Sequence, residues 1–133
     1  MNPNVSLGNK AWDAVTPRIN DKLLDFIRTH FKFATMSPVQ ENAIPQLLSH
    51  KDVVVEACTG SGKTLAYVVP IFHMLLEKEK AAPLFKDSVY VIVICPTREL
   101  ADQVFAVAEL FSNVTGITVQ KVIGGQQVTC TFI

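Results

Sequence analysis

The stretch Val53–Thr64, VVVEACTGSGKT, decides how this chain is read. Three β-branched residues, Val53, Val54 and Val55, run into a loop that holds Gly60 and Gly62 and closes on Lys63 and Thr64. An apolar segment of helical length follows at once. Strand, glycine-rich loop and helix, in that order, are the parts of a phosphate-binding loop. The glycines let backbone N–H groups approach an anion closely. The helix N-terminus adds unpaired N–H groups and partial positive charge. Lys63 is placed to reach the outer phosphates, and the Thr64 hydroxyl to ligate Mg²⁺. The usual spacing is G-x-x-x-x-G-K-[ST], and Ala57 stands where its first glycine would be.

Upstream of the loop, two helices are expected. Asn20 suits an N-cap, and Leu23, Leu24, Ile27 and Phe31 fall on one helical stripe behind it. Ser37, Pro38 and Gln40 read as cap, first helical residue and the far side of a capping box. Pro45 is expected to kink or end that second helix. Downstream, the loop leads into a helix over about 63–77 that Pro70 should kink, then a connector over 81–87. A near-continuous apolar run, Val89–Cys95, suits a strand covered on both faces. Thr97 then caps a helix with Leu100, Val104, Val107 and Phe111 on its buried side, and Gly116 ends it. A third strand over 118–123 runs into Gly124 and Gly125. With the first strand at 52–56, helices and strands alternate. That pattern predicts a doubly wound α/β fold with a mainly parallel sheet. Ligands of such sheets sit beyond the carboxyl ends of the strands, where the GSGKT loop, Pro96–Leu100 and the Gly124-Gly125 pair all fall.

Composition bounds the rest. The 133 residues suffice for one domain with a real core, and 49% hydrophobic with 18% charged residues reads as globular. Twelve basic and twelve acidic residues give a net charge of +0, so any nucleic-acid binding must be local. Three cysteines, Cys58, Cys95 and Cys130, form no CxxC spacing and argue for a reducing, intracellular compartment. Cys58 and His73 carry no catalytic signature, although a thiol reagent could reach a cysteine in the loop. The most apolar stretch, Leu65–Leu76, is too short to span a bilayer.

Taken together, these motifs resemble those of the DEAD-box RNA helicases, in the first of their two RecA-like lobes, over about Trp12–Gly125. The family's phosphate loop reads A-x-T-G-S-G-K-T, here Ala57, Cys58, Thr59, Gly60, Ser61, Gly62, Lys63 and Thr64. Ala57 is thus the family's own form. Its Q motif, about 12–40 here, has an isolated aromatic, a second aromatic seven residues before a glutamine, and that glutamine. Trp12, Phe33 and Gln40 match, with Ser37 and Pro38 between them. The resemblance implies that Gln40 reads adenine, whose N6 and N7 edge an amide can pair with. Capping by Gln40 and adenine reading can coexist, and Trp12 is either part of the adenine site or a docking anchor. Pro96, Thr97 and Arg98 match P-T-R-E-L-A, and Gly124 and Gly125 match a GG element; both face the RNA backbone in such enzymes. Arg98 at a helix start is poorly placed for the helix dipole, which favours an external anion there. Lys32 departs from a glycine usual in the family.

The resemblance implies ATP and Mg²⁺ as cofactors, catalytic roles for Lys63 and Thr64, and RNA as partner. The wording of Lys51–Pro70 is similar to that of helicases of large-ribosomal-subunit assembly, so a nuclear or nucleolar setting is favoured over the cytoplasm. Neither Asp-Glu-Ala-Asp nor Ser-Ala-Thr occurs in the chain. The expected organisation is a flexible arm over 1–11, a partial RecA-like ATP-binding domain over 12–125 that is incomplete at its C-terminus, and an atypical tail over 126–133, QQVTCTFI. The alternative is an inactive truncated product that acts by binding. A nucleotide kinase would share GKT but has no use for Gln40 or PTREL.

Overall fold

Asn20 starts the first helix as its cap: its side chain accepts from the Lys22 N–H at 3.0 Å. The computed structural model describes residues 8–85 and 88–125. A single 3-10 turn, Trp12–Ala14, precedes α1, Asp21–Phe26, which continues as a π-helical turn, Ile27–Phe31. Then come α2, Pro38–Leu48, α3, Lys63–Ala81, and α4, Arg98–Thr115. The expected caps are present. Ser37 and Gln40 form a full capping box on α2, Thr97 accepts from the Leu100 N–H, and Gly116 ends α4 in the left-handed region at φ 80°.

α3 is the centre of the packing, with α2 along it and α4 and α1 against it. Leu65, Val68, Val69, Phe72 and Leu76 of α3 meet Ile44 and Leu48 of α2, Leu23 and Leu24 of α1, and Phe111 of α4 in one core. Burying a side chain of this kind contributes roughly 1.5–3 kcal/mol. That scale explains both prolines. Pro45 and Pro70 do not end their helices: of the two outcomes expected at Pro45, the ending does not occur. Each removes one backbone bond, at a cost of about 3 kcal/mol. Ala43, Ile44 and Leu48 around the first, and Val68, Val69 and Phe72 around the second, are buried and offset it. α3 also runs four residues past Glu77 to Ala81, its last turn carrying a Lys80–Glu77 ion pair at 2.6 Å. On α4, Val104 and Phe111 are buried and Val107 packs against the core, but Leu100 faces out.

The segments expected as strands, 52–56, 89–95 and 118–123, form no ladder among the described residues, whose β pairing is an isolated bridge between Ala11 and Thr35. A parallel strand needs a neighbour along its edge and cover on its faces. Here the side chains lack both: Val54 is 101% and Ile94 89% exposed. Ile117 and Val119 are the exception, alternating onto the core. Part of the expected arm is described. Of residues 1–11, those from 8 to 11 are docked: the Met36 N–H donates to the Lys10 carbonyl at 2.9 Å, beside the Ala11–Thr35 bridge. Backbone pairing next to the buried Trp12 holds them. Residues 1–7 and the tail over 126–133 lie outside the described residues.

Candidate nucleotide and RNA site

The phosphate loop sits at the head of α3. Gly60 and Gly62 take φ of 79° and 89°, and Gly62 is the helix cap. A side chain at Gly62 has no room: a Cβ there would lie 2.5 Å from Gln40 Nε2. Lys63 Nζ donates to the carbonyls of Ala57, 2.7 Å, and Cys58, 2.6 Å. An ammonium has three donors, so one N–H is left for an anion. Ser61 Oγ is buried and has no partner among the described residues. Cys58, Thr59 and Gly60 are exposed, and Thr64 is half-buried in the first turn of α3. Burial pushes the Tyr67 phenol up, opposed by a hydrogen bond to Thr64. Glycine-shaped backbone, an orphaned hydroxyl, a lysine and the first N–H groups of a helix are the donor set a polyphosphate requires, and Thr64 adds the oxygen that a hard cation takes.

Gln40 is 3% exposed and binds in two directions. Its Oε1 accepts from the Ser37 N–H at 2.9 Å, and its Nε2 donates to the Gly62 carbonyl at 3.1 Å. The capping box and the phosphate loop are thereby joined through one amide. Each end of that amide keeps one free valence, since the oxygen has two lone pairs and the nitrogen two hydrogens. Phe33 is 46% exposed and stacks on Phe31 with centroids 5.9 Å apart, and Phe31 in turn stacks on Phe111 of α4. An exposed, backed aromatic face is a platform for a planar ring. Trp12 is 1% exposed inside the core against which Phe31 packs, with Nε1 unpartnered among the described residues.

Pro96, Thr97, Arg98, Gly124 and Gly125 are all exposed, and the structure joins the two groups. Arg98 Nη2 donates to the Gly124 carbonyl at 2.6 Å, and a Cβ on Gly125, at φ 83°, would meet that same nitrogen at 3.4 Å. A guanidinium has five donors and Arg98 is exposed, so N–H groups remain that an external anion could take. Three contacts were not legible beforehand. Gln40 to Gly62 spans 22 residues and Arg98 to Gly124 spans 26, and no local pattern signals either. The third is Asn20, whose N–H donates to His73 Nδ1 at 3.1 Å. Among the described residues no group of three or more His, Cys, Asp or Glu could hold a metal ion, and no helix is long and apolar enough to cross a membrane.

The family described as DEAD/DEAH box helicase matches residues 37–131. A protein named ATP-dependent rRNA helicase spb4 from Aspergillus clavatus is 47% identical over 108 residues, 81% of this chain and 16% of its own length. Its namesake from Aspergillus niger is 50% identical over 98 residues, 74% of this chain and 15% of that one. The chain thus spans about one-sixth of the length of these relatives. Among solved structures, the RNA helicase Prp28 from Chaetomium thermophilum bound to ADP aligns with a TM-score of 0.72 and 31% identity over 90% of this chain and 28% of its own. A DEAD box protein from Methanococcus jannaschii gives 0.68 and 26%, over 90% of this chain and 30% of its own. The fold is that of part of a RecA-like helicase lobe, incomplete as the sequence predicts. With a family match over most of its residues and relatives of this identity, the chain belongs to the DEAD/DEAH box helicases.

Proposed function

We propose that this chain is the ATP-binding and RNA-contacting N-terminal portion of an ATP-dependent RNA helicase. The observation that carries this reading is the Gln40 amide bonded to the Gly62 carbonyl. It sets a group able to read an adenine edge against the loop that would hold the phosphates. In this reading Gly60, Ser61, Gly62 and the α3 N-terminus cradle the phosphates with Ala57, Cys58 and Thr59. Lys63 turns its free N–H on the outer ones, and Phe33 backs the base. Thr64 would hold Mg²⁺, which when bound screens phosphate charge and orients the outer phosphate. Arg98 and the Pro96–Thr97 and Gly124–Gly125 backbone face the RNA phosphates.

The names of the relatives support ribosomal RNA as the substrate of the complete protein and a nucleolar setting. Duplex unwinding belongs to that complete protein. For the chain by itself, a binding role is the second reading, favoured by the lack of an Asp-Glu-Ala-Asp sequence. The test is calorimetric. Gln40→Ala should weaken ATP while leaving GTP nearly unchanged, by roughly 1–3 kcal/mol for a lost buried polar pairing. Equal loss for both nucleotides would confine Gln40 to helix capping.

A further inference from the structure

The segment 8–12 crosses the start of α2 as a strap. Its backbone is held on both sides of Ser37, by a hydrogen bond on one and by close packing on the other, and the Ser37 N–H orients Gln40. On one side, Met36 N–H donates to the Lys10 carbonyl at 2.9 Å, next to the Ala11–Thr35 bridge. On the other, Gly8 lies so close to Pro38 that a Cβ would come within 2.6 Å of the proline N and Cδ, and its φ is 73°. A third hold comes from Glu41, adjacent to Gln40 in α2. Its Oε2 accepts from the N–H groups of Asn9 at 3.3 Å and Lys10 at 3.4 Å. An acidic side chain in the first turn of a helix is also well placed for the dipole.

We infer that this strap, latched by Glu41 and Gly8, is a positioning device for Gln40 and so sets adenine selectivity. The chain of contacts is continuous: strap to Met36 and Pro38, the Ser37 N–H between them to Gln40 Oε1, and Gln40 Nε2 to Gly62. Gln40 presents its spare lone pair and N–H in a fixed direction only while Ser37 is held. Releasing the strap lets the capping end of the amide wander without touching the loop backbone or Lys63. Selectivity then falls and phosphate affinity stays. The inference rests on Gln40 reading adenine, and the experiment separates the two.

The full chain is titrated calorimetrically with ATP, GTP and inorganic tripolyphosphate, as wild type, Gln40→Ala, Glu41→Ala, Glu41→Gln and Gly8→Ala. Glu41→Ala and Gly8→Ala should each weaken ATP by about three- to tenfold, the scale of one or two hydrogen bonds at a partly exposed site. GTP and tripolyphosphate should hold their wild-type affinities. Glu41→Gln keeps an acceptor oxygen and should stay within about twofold of wild type. Amide exchange at Met36 and Ser37 should quicken in Glu41→Ala and Gly8→Ala, a readout that needs no nucleotide. If Gln40→Ala alone loses adenine preference while both strap variants keep it, the strap has no such role. If Gln40→Ala keeps its preference, the adenine reading falls and the inference with it. Equal loss of all three ligands in the strap variants marks general loosening and also overturns it.

Discussion

At the scale of residues, the resemblance expects a glycine where Lys32 stands, and the backbone shows why one would fit. Lys32 sits at φ 57°, ψ 27°, left-handed, as the stop after the π-helical turn. A lysine there meets the steric penalty of that region, which glycine escapes at some entropic cost. Lys32→Gly should therefore raise stability by about 0.5–1 kcal/mol, read as a higher urea midpoint at unchanged slope. A drop would mean that the lysine side chain supplies something its backbone does not reveal. Arg98 makes the second case. In a protein of full family length, Arg98→Ala should weaken single-stranded RNA similarly for every sequence. It should also lower the dependence of log affinity on log salt by about one unit or less, as one lost phosphate contact would. A loss confined to some sequences would instead point to base contact. The bond to Gly124 already holds the guanidinium in place, so little side-chain freedom remains to be lost on binding.

At the scale of elements, the joint between the cap of α1 and the middle of α3 is sensitive to acid. His73 is buried, and its Nδ1 accepts the Asn20 N–H, so the proton of the neutral ring is on Nε2. Burial holds its pKa below the ordinary 6.5, with Glu77 pulling the other way and Lys80 adding to the depression. The unfolded chain therefore takes up the proton first as pH falls. Stability from the neutral ring is complete above about 6.5 and is lost as pH drops through the folded value. Thermal midpoints should fall between pH 7 and 5, and His73→Asn, which offers an oxygen near the same place and cannot titrate there, should flatten part of that fall. An unchanged slope would assign the acid response to other groups. Helices were legible because their determinants are local: Asn20, Ser37 and Thr97 at starts, Gly116 at an end, and the 3.6-residue stripe between. The π-helical turn was not, since the stripe through Leu23, Ile27 and Phe31 reads the same with one residue wound in. At Pro45 local rules left an ending open, and the burial of Ala43, Ile44 and Leu48 around it is what carries the helix on. The site was legible as motifs, but the joins from Gln40 to Gly62 and from Arg98 to Gly124 depend on how separate elements dock.

At the scale of the molecule, the chain carries one of the several parts that phosphoryl transfer needs. The phosphate cradle is present in Gly60–Thr64. A carboxylate to hold the metal, a positioned water and positive charge on the transition state have no evident residues here. An arginine finger alone is worth on the order of 10³–10⁵ in rate in related enzymes. The purified chain should thus release no phosphate from ATP above a trace, with or without RNA, while retaining weak nucleotide binding. Steady-state phosphate release beside Lys63→Ala decides it, and RNA-stimulated turnover that this substitution abolishes would sink the expectation. The apolar runs were legible as strands, and their lack of ladders was not, because pairing is set by what lies beside a strand and not by its own residues. That openness has a consequence in time. At about 5–20 residues per second, the 62 residues that follow Glu56, as far as Thr118, take roughly 3–12 s to synthesise. Val54 is bare throughout that time, and nothing among the described residues covers it afterwards. Such a run is the kind of extended apolar peptide that chaperones bind, so any strand that pairs beside Val54 has to compete with capture, and the rate of that pairing matters as much as the depth of the folded well.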